Sequence, residues 1–446
     1  MTRECFANLG HKMWALLASY REGLRAVKWM RNREYLEYIQ RYRLRMLARS
    51  LESVPYYRDI MRQRGIEADA IQSRCDIELF PLLTRRIIRS EFRSLISKGP
   101  LHCHLEHSSG STGEPIAVLV DQRRRALKSG AVIARKLITG RSLWWERIAI
   151  CCVRQARYLI QRGKHFSYRQ GLAQCRVFCV DEPSCVDELT AWNPSVVSGW
   201  PSCLRGIALT LIDRNCPLRV ATVISHSELL DEQTERLLKD AFGGTVINEY
   251  GTNETGDIAA TCCSAGGLHV DDGNVIVEIV DREGRCVPNG EVGRVAVTVL
   301  ENYSMPLVRY VTEDYASMRR GPCTCGLASG VIEEIVGREH DVLIGGTGER
   351  IYPMSVYQLL HQASGFRKWR VIQHTSHRVI VEYVAANANP ESTLRWLSAE
   401  LKQLLGSECN IVYHQRNEIP ALPGGKLQTV IRASGGATDD THGDRS

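Results

Sequence analysis

Five short stretches combine residue types and spacings suited to phosphate, metal and carboxylate chemistry. The first is His107-Ser108-Ser109-Gly110-Ser111-Thr112-Gly113-Glu114-Pro115, a run of hydroxyls and glycines with little to pack. Such a loop offers backbone N–H groups and Ser/Thr oxygens to an anion. It lies between short apolar pieces at 101–105 and 116–120, so it reads as a connection beside strands, and the G-x-x-x-x-G-K-[ST] motif is missing from it. Taken alone it is equally an ordinary Ser/Gly turn.

The second stretch, Asn248-Glu249-Tyr250-Gly251-Thr252-Asn253-Glu254-Thr255-Gly256, follows an apolar strand and puts polar groups at its C-terminal edge, where open α/β sheets bind ligands. Tyr250 can stack on a base, and Glu254 can hold a hard cation that bridges phosphate oxygens. In the third, Arg309-Tyr310-Val311-Thr312-Glu313-Asp314, a carboxylate able to accept from two vicinal hydroxyls follows a mostly apolar run; a surface ion pair is the plainer alternative. The fourth joins Gly337-Arg338-Glu339-His340-Asp341 to the glycine-rich 345–351, which suits a hinge. The fifth, Pro423-Gly424-Gly425-Lys426, places one lysine in a glycine loop.

The elements that must position these groups can be read from periodicity and capping. Residues 1–95 read as a helical lead-in, with apolar positions three and four apart through much of 36–51 and a break at Val54-Pro55. From about 100 to 300, strand-like runs at 147–153, 175–180, 195–198, 220–225 and 245–248 alternate with helical segments. The clearest helix starts at the N-cap Asp231 and stops at Gly243-Gly244. That alternation argues for a layered α/β domain. A β-rich section with strands at 275–280 and 292–300 follows. Beyond 337 the pattern changes to a helix at 353–362, strands at 370–374 and 378–385, and a helix between Asn389-Pro390 and Gly406. The expected division is 1–95 and 96–337 within an N-terminal domain, a small α+β domain at 338–433, and a frayed polar tail at 434–446.

Composition sets the class. A 446-residue chain with 44% hydrophobic and 24% charged residues is an ordinary globular protein of several domains. The net charge of +7 is concentrated near the N-terminus, where basic residues alternate with Leu, Trp, Tyr and Met at helical spacing. A solvated helix face is the expectation there, ahead of a nucleic-acid or membrane-surface contact. No apolar run is long enough to span a membrane, and the first residues lack a secretory h-region. The expected location is therefore cytoplasmic and the sixteen cysteines reduced.

In this order, the five stretches resemble the adenylate-forming superfamily, and within it the branch of phenylacetate-CoA ligases and capsule-biosynthesis adenylate-forming proteins. Val54-Pro55-Tyr56-Tyr57-Arg58, Phe80-Pro81-Leu82-Leu83-Thr84, Ser198-Gly199-Trp200-Pro201-Ser202 and Ala241-Phe242-Gly243 resemble phrases of the same branch, so the likeness runs from about 40 to 432. It implies an α/β fold with a large multi-layer N-terminal domain, a β-rich subdomain and a small mobile α+β C-terminal domain. It also implies ATP-dependent activation of a carboxylic acid, aryl or apolar by preference, as an acyl-adenylate, followed by transfer to a thiol, with coenzyme A as the first choice.

Carried over by position, the resemblance gives Ser108, Ser109, Gly110, Ser111, Thr112 and Gly113 to the triphosphate, Tyr250 and Gly251 to the adenine, and Glu254 to magnesium. Asp314 takes the ribose, Arg338 approaches the nucleotide, Asp341 marks the hinge, and Lys426 is the catalytic lysine. The chain departs from the branch at Glu114, where relatives often carry Lys, at Asn253, where Thr is usual, and at Glu313, where Gly normally precedes the Asp. Cys262, His269, Cys323 and Cys325 match a structural zinc arrangement of the branch, with Cys263 competing for the place of Cys262. Trp200 and His226 are candidate walls of the acid pocket. An amine or a carrier-protein thiol as acceptor, a non-catalytic nucleotide binder, and a homodimer stay open; no nucleic-acid partner is expected.

Overall fold

The computed structural model describes residues 3–99, 103–108, 115–142, 145–156, 174–262, 264, 266–363, 365–386, 390–420 and 427–433, without the side chains of 3–16, 122 and 125. Among them the chain forms two compact units that meet in sequence at Ile335/Val336.

The first unit opens with α1 (Arg3–Arg31) and α2 (Arg33–Leu51), separated by Asn32, whose side chain accepts from the Tyr35 N–H as an N-cap. Pro55 at the first turn starts α3 (Pro55–Arg64), and Gly65 at φ 64° ends it. Thr84 caps α4 (Arg85–Ser90). A hairpin of β1 (Cys103–His107) and β2 (Ala117–Asp121) flanks the Ser/Gly loop and leads into α5 (Gln122–Ile138).

Eleven strands then build one sheet. They are β3 (Arg147–Cys152), β4 (Gln174–Cys179), β5 (Val196–Gly199), β6 (Thr222–His226), β7 (Thr245–Thr252), β8 (Gly256–Thr261), β9 (Leu268–Val270), β10 (Val275–Val280), β11 (Val292–Val299), β12 (Tyr310–Met318) and β13 (Val331–Arg338). Their order is β10-β11-β12-β13-β9-β8-β7-β6-β5-β3-β4. Strands β3 to β7 pair in parallel, and the pairing turns antiparallel at β7–β8. The helices α6 (Cys185–Trp192), α7 (Pro201–Asp213) and α8 (Glu232–Phe242) bury Leu189, Leu204, Leu211, Leu238 and Phe242 against Val197, Val223 and Val246 of the parallel strands. A second core joins α2 and α3 to the antiparallel half through Leu47, Leu51, Tyr57, Val277, Val297 and Tyr310.

The second unit holds a short hairpin, β14 (Leu343–Ile344) with β15 (Arg350–Ile351), then α9 (Pro353–Gln362). Next come β16 (Phe366–Thr375), β17 (Arg378–Ala385), α10 (Glu391–Leu405), β18 (Asn410–Gln415) and β19 (Val430–Arg432). Its four-stranded sheet runs β18-β17-β16-β19, and Leu360, Trp369, Val371, Val381, Leu397 and Leu401 share its own core. The protein is therefore mixed α/β, with a multi-layer first unit and a small α+β second unit.

Candidate active site

Side-chain contacts in the first unit bring together parts of three of the sequence stretches. Strand β7 delivers Tyr250 at its C-terminal edge and turns at Asn253–Glu254 into β8. Gly251 is required there: a Cβ would sit 2.4 Å from the Gly256 carbonyl oxygen, so no larger residue allows the two strands to close. The Thr252 hydroxyl accepts from the Thr255 N–H at 3.0 Å and fixes the turn. Asn253 Nδ2 donates to the His107 carbonyl at 3.0 Å, so the Asn at this position ties the turn to the start of the Ser/Gly loop.

Asp314 is re-aimed by a β-bulge. Between the pairs Arg294↔Tyr315 and Ala296↔Val311, β11 advances two residues while β12 advances four. The extra residues include Glu313 at φ 68°, a left-handed conformation that Gly adopts without strain and Glu does not. The bulge brings the buried Asp314 carboxylate to Tyr250, whose hydroxyl donates to Oδ2 at 2.7 Å and lies 3.2 Å from Thr312 Oγ1.

Glu254 is almost wholly buried. Its Oε1 meets Arg85 Nη1 at 3.2 Å and the Tyr310 hydroxyl at 3.3 Å, and its carbonyl accepts from Arg124 Nη2 at 2.7 Å. Burial first, then the negative charge of Glu254, holds the Tyr310 phenol well above its ordinary range. Arg124 is buried too, which pulls its guanidinium down to about 10, and its Nη1 has no partner among the described residues. Arg85 also donates through Nη2 to the Ser108 hydroxyl at 2.9 Å and lies 3.9 Å from Glu313. One guanidinium thus connects the loop base, the buried carboxylate and the bulge.

Sequence reasoning missed Arg85. It is placed by the segment before it: Leu83 bridges Tyr310 in parallel, its N–H donates to the Arg309 carbonyl, and its carbonyl accepts from Val311. The signal available was Phe80 to Thr84, which includes an N-cap directly before Arg85.

The remaining predicted residues fall as follows. Ser108 is buried, and its hydroxyl accepts from the Ile116 N–H at 2.8 Å, closing the base of the loop. Ser109 to Glu114, Cys263 and Lys426 lie outside the described residues. Trp200 is 8% exposed and packs against Cys152, Ala156 and Cys203, which makes it part of a core cluster. His226 pairs in register with Glu249, and its Nδ1 lies 3.0 Å from Ser227 Oγ. In the second unit, Arg338 ends β13, and Asp341 Oδ1 accepts from Gln428 Nε2 at 3.0 Å, two residues past Lys426.

Behind Tyr250 lies a charge cluster invisible in the motifs. Arg135 of α5 meets Asp257 at 2.6 Å and Glu249 at 3.3 Å. Burial, only partly offset by Arg135, raises Glu249, whereas at Asp257 burial is overcome by Arg135 together with Lys128 and His226, and the carboxyl is lowered. Arg135 also lines a cavity of about 1090 Å³ that reaches the N-terminal ends of β5, β6 and β7 at Val196, Thr222 and Thr245.

Cys262, His269, Cys323 and Cys325 converge, their ligand atoms all within 4.8 Å of one another. Cys262 Sγ is 3.6 Å from Cys323 Sγ, close to the edge of about 3.8 Å that Zn–S bonds of about 2.3 Å give in a tetrahedron. His269 Nε2 is 3.1 Å from Cys325 Sγ, and its Nδ1 meets Ser329 Oγ at 3.0 Å, the outer partner that orients a ligating imidazole. The donor set and geometry fit a closed tetrahedral metal site.

The chain is similar to adenylate-forming proteins, and among them to the phenylacetate-CoA ligases and CapK. The family model of the CapK C-terminal domain matches residues 343–433. Phenylacetate-coenzyme A ligase of Thermus thermophilus is 24% identical over 438 residues, covering 90% of this chain and 97% of its own. Protein CapK of Staphylococcus aureus is 21% identical, covering 84% of each chain. Among solved structures, 2-hydroxyisobutyryl-CoA ligase in its postadenylation state with R3-HIB-AMP superimposes with a TM-score of 0.74 at 19% identity, over 91% of this chain and 90% of that one.

Proposed function

We propose that the protein is an AMP-forming ligase that activates a carboxylic acid with ATP and passes the acyl group to a thiol, coenzyme A. The observation that carries this reading is the joining of Glu254, Tyr250–Asp314 and the loop base at Ser108 through Arg85 and the bulge at Glu313. The relatives named phenylacetate-coenzyme A ligase support it, as does the anthranilate CoA ligase solved with anthranoyl-AMP, which superimposes with a TM-score of 0.53.

In the first step a carboxylate oxygen attacks the α-phosphorus of ATP, the bond to the bridging oxygen breaks, and pyrophosphate leaves with the electron pair. Two anions approach each other, so positive charge must be supplied where negative charge accumulates. Ser108 to Gly113 hold the β- and γ-phosphates, Tyr250 and Gly251 border the adenine, and Asp314 accepts from the ribose hydroxyls. By the family resemblance, Arg338 would approach the nucleotide, Asp341 would mark the hinge and Lys426 would balance charge at the α-phosphate. Among the described residues, the hydrogen-bond contacts to the Glu254 carboxylate fall on Oε1, so Oε2 would be the oxygen that holds magnesium; the ion would neutralise phosphate oxygens. In the second step the thiol sulfur attacks the acyl carbon, loses its proton, and AMP leaves.

Zinc in the Cys262–His269–Cys323–Cys325 site plays a structural part, tying β8–β9 to the segment between β12 and β13. The acid is aryl or apolar, with His226 beside its pocket. No disulfide forms among the described cysteines, and among the described residues no helix is long and apolar enough to cross a membrane; with ATP and coenzyme A as substrates, the cytoplasm is the proposed location.

The test is pyrophosphate release with magnesium-ATP across a panel of aryl, short-chain and amino acids, followed by product analysis with coenzyme A, an amine or a carrier protein. A coenzyme A thioester is the expected product; amide formation or carrier loading would move the acceptor, and ATP binding without release for any acid would end the reading.

A further inference from the structure

The N-terminal helix pair carries a surface that adenylation does not use. At 3.6 residues per turn, Leu17, Arg21, Leu24, Lys28 and Arg31 recur four and three residues apart along one stripe of α1, and all are exposed. On α2 the same alternation runs through Tyr38, Tyr42, Arg45 and Arg49, again all exposed. The opposite faces are committed to the fold. Trp29 and Met30 pack with Leu36 and Ala134, while Leu44, Leu47 and Leu51 enter the main core. The buried Arg43 donates to the Gly273 carbonyl at 2.6 Å and meets Glu301 at 2.8 Å. The outward stripes are therefore held in place by rigid packing.

Two features distinguish this face from an ordinary solvated one. Of the twelve large hydrophobic side chains exposed among the described residues, six lie between 17 and 46: Leu17, Tyr20, Leu24, Tyr38, Tyr42 and Met46, with Leu17 at 63% and Tyr38 at 62%. Charge is also one-sided. Between 17 and 52, eight exposed Arg and Lys side chains face three exposed Glu, namely Glu34, Glu37 and Glu52. Some of the positive charge is spoken for, since Arg33 pairs with Glu37, Arg49 with Asp69, and Arg21 and Arg25 share Glu22. Lys28, Arg31, Arg41 and Arg45 are in no ion pair among the described residues. Lys28 sits over the Tyr35 ring, and Tyr35 stacks on Tyr38, which links the two stripes at the Asn32 corner.

We propose that this face docks the protein on an anionic phospholipid surface. Leucine and methionine supply apolar groups for the acyl boundary, tyrosine suits the headgroup layer, and the unpaired Arg and Lys meet lipid phosphates. The interleaving of basic and apolar groups along single stripes favours a lipid surface over a duplex nucleic acid, for which exposed Leu and Met have no use, and over a second copy of the same face, which would bring like charges together.

The experiment is sedimentation of the full chain with phosphatidylcholine vesicles, with and without about a third phosphatidylglycerol. Lys28→Glu/Arg41→Glu and Tyr38→Ser/Tyr42→Ser serve as variants, with adenylating activity and sedimentation velocity measured alongside. The protein should pellet with anionic vesicles and stay in solution with neutral ones. Charge reversal should lower partitioning roughly tenfold or more, the tyrosine variant should lower it severalfold, and both should keep adenylating activity. Equal partitioning to both vesicle types, or no effect of either variant on it, overturns the proposal. So does a dimer that dissociates only in the variants, which would assign the face to a second copy, and so does salt-dependent DNA binding in place of vesicle binding.

Discussion

The Tyr250 hydroxyl donates to Asp314 Oδ2 at 2.7 Å, coupling the aromatic proposed to border the adenine to the carboxylate proposed to accept from the ribose. The contact orients Asp314 before nucleotide arrives. Tyr250→Phe should raise KM for ATP by about three- to tenfold with little change in kcat, since a typical hydrogen bond is worth about 0.5–1.5 kcal/mol net. Asp314→Ala, which removes the diol acceptor itself, should raise it by about a hundredfold. Pyrophosphate exchange against ATP concentration measures both; equal effects of the two variants would mean that Tyr250 acts by more than orientation.

Arg85 is the structural partner of Glu254, and Arg85→Ala leaves that carboxylate buried without its cation. Loss of one member of a buried pair costs about 3–5 kcal/mol; Arg85 is 16% exposed, so about 2 kcal/mol is expected. The urea midpoint should fall, and more magnesium should be needed for half-maximal adenylation because Glu254 is no longer held. An unchanged magnesium requirement would confine Arg85 to stability.

Glu313→Gly should leave stability unchanged or raise it by up to about 1.5 kcal/mol. Relief of a left-handed non-glycine residue returns about 1–2 kcal/mol, against which glycine's extra freedom in the unfolded chain costs about 0.5–1 kcal/mol. Equilibrium urea unfolding reads the difference. A loss above about 1 kcal/mol would show that the Glu313–Arg85 contact at 3.9 Å outweighs the strain.

Purified protein should contain one zinc per chain. Cys323→Ser and Cys325→Ser should each lower that content and the melting temperature, while the folded fraction at low temperature keeps its KM for ATP, as befits a closed structural site away from the nucleotide residues. Full metal loss with unchanged melting would remove the structural role.

Much of this architecture was legible because its signals are local. The N-cap at Asp231 and the stop at Gly243 delimit the helix found at Glu232–Phe242, where Asp231 Oδ1 accepts from Gln233 and Thr234 and Gly243 adopts φ 68°. The helix expected at 353–362 is Pro353–Gln362, and strands expected at 275–280 and 378–385 occupy those residues. The strand expected at 370–374 proves longer, Phe366–Thr375, because pairing with β17 extends it past its apolar centre. What escaped depends on contacts between distant segments. Arg85 is positioned only once Leu83 pairs with Tyr310, and the left-handed Glu313 follows from a register mismatch between β11 and β12 that neither strand encodes alone. The Arg135–Glu249–Asp257 cluster likewise needs α5 laid across β7 and β8. Trp200, read as a pocket wall, is packed among Cys152, Ala156 and Cys203 because it enters α7 at a buried strand end.

The central claim is acid activation through an adenylate, and Lys426 tests it most directly. Carboxylate-dependent pyrophosphate release should be measured for the parent and for Lys426→Ala under saturating magnesium-ATP. The account predicts release by the parent with at least one acid and a loss of about a hundredfold or more in the variant, as removal of a charge-stabilising group at a transition state brings. Release by Lys426→Ala at the parental rate would contradict it.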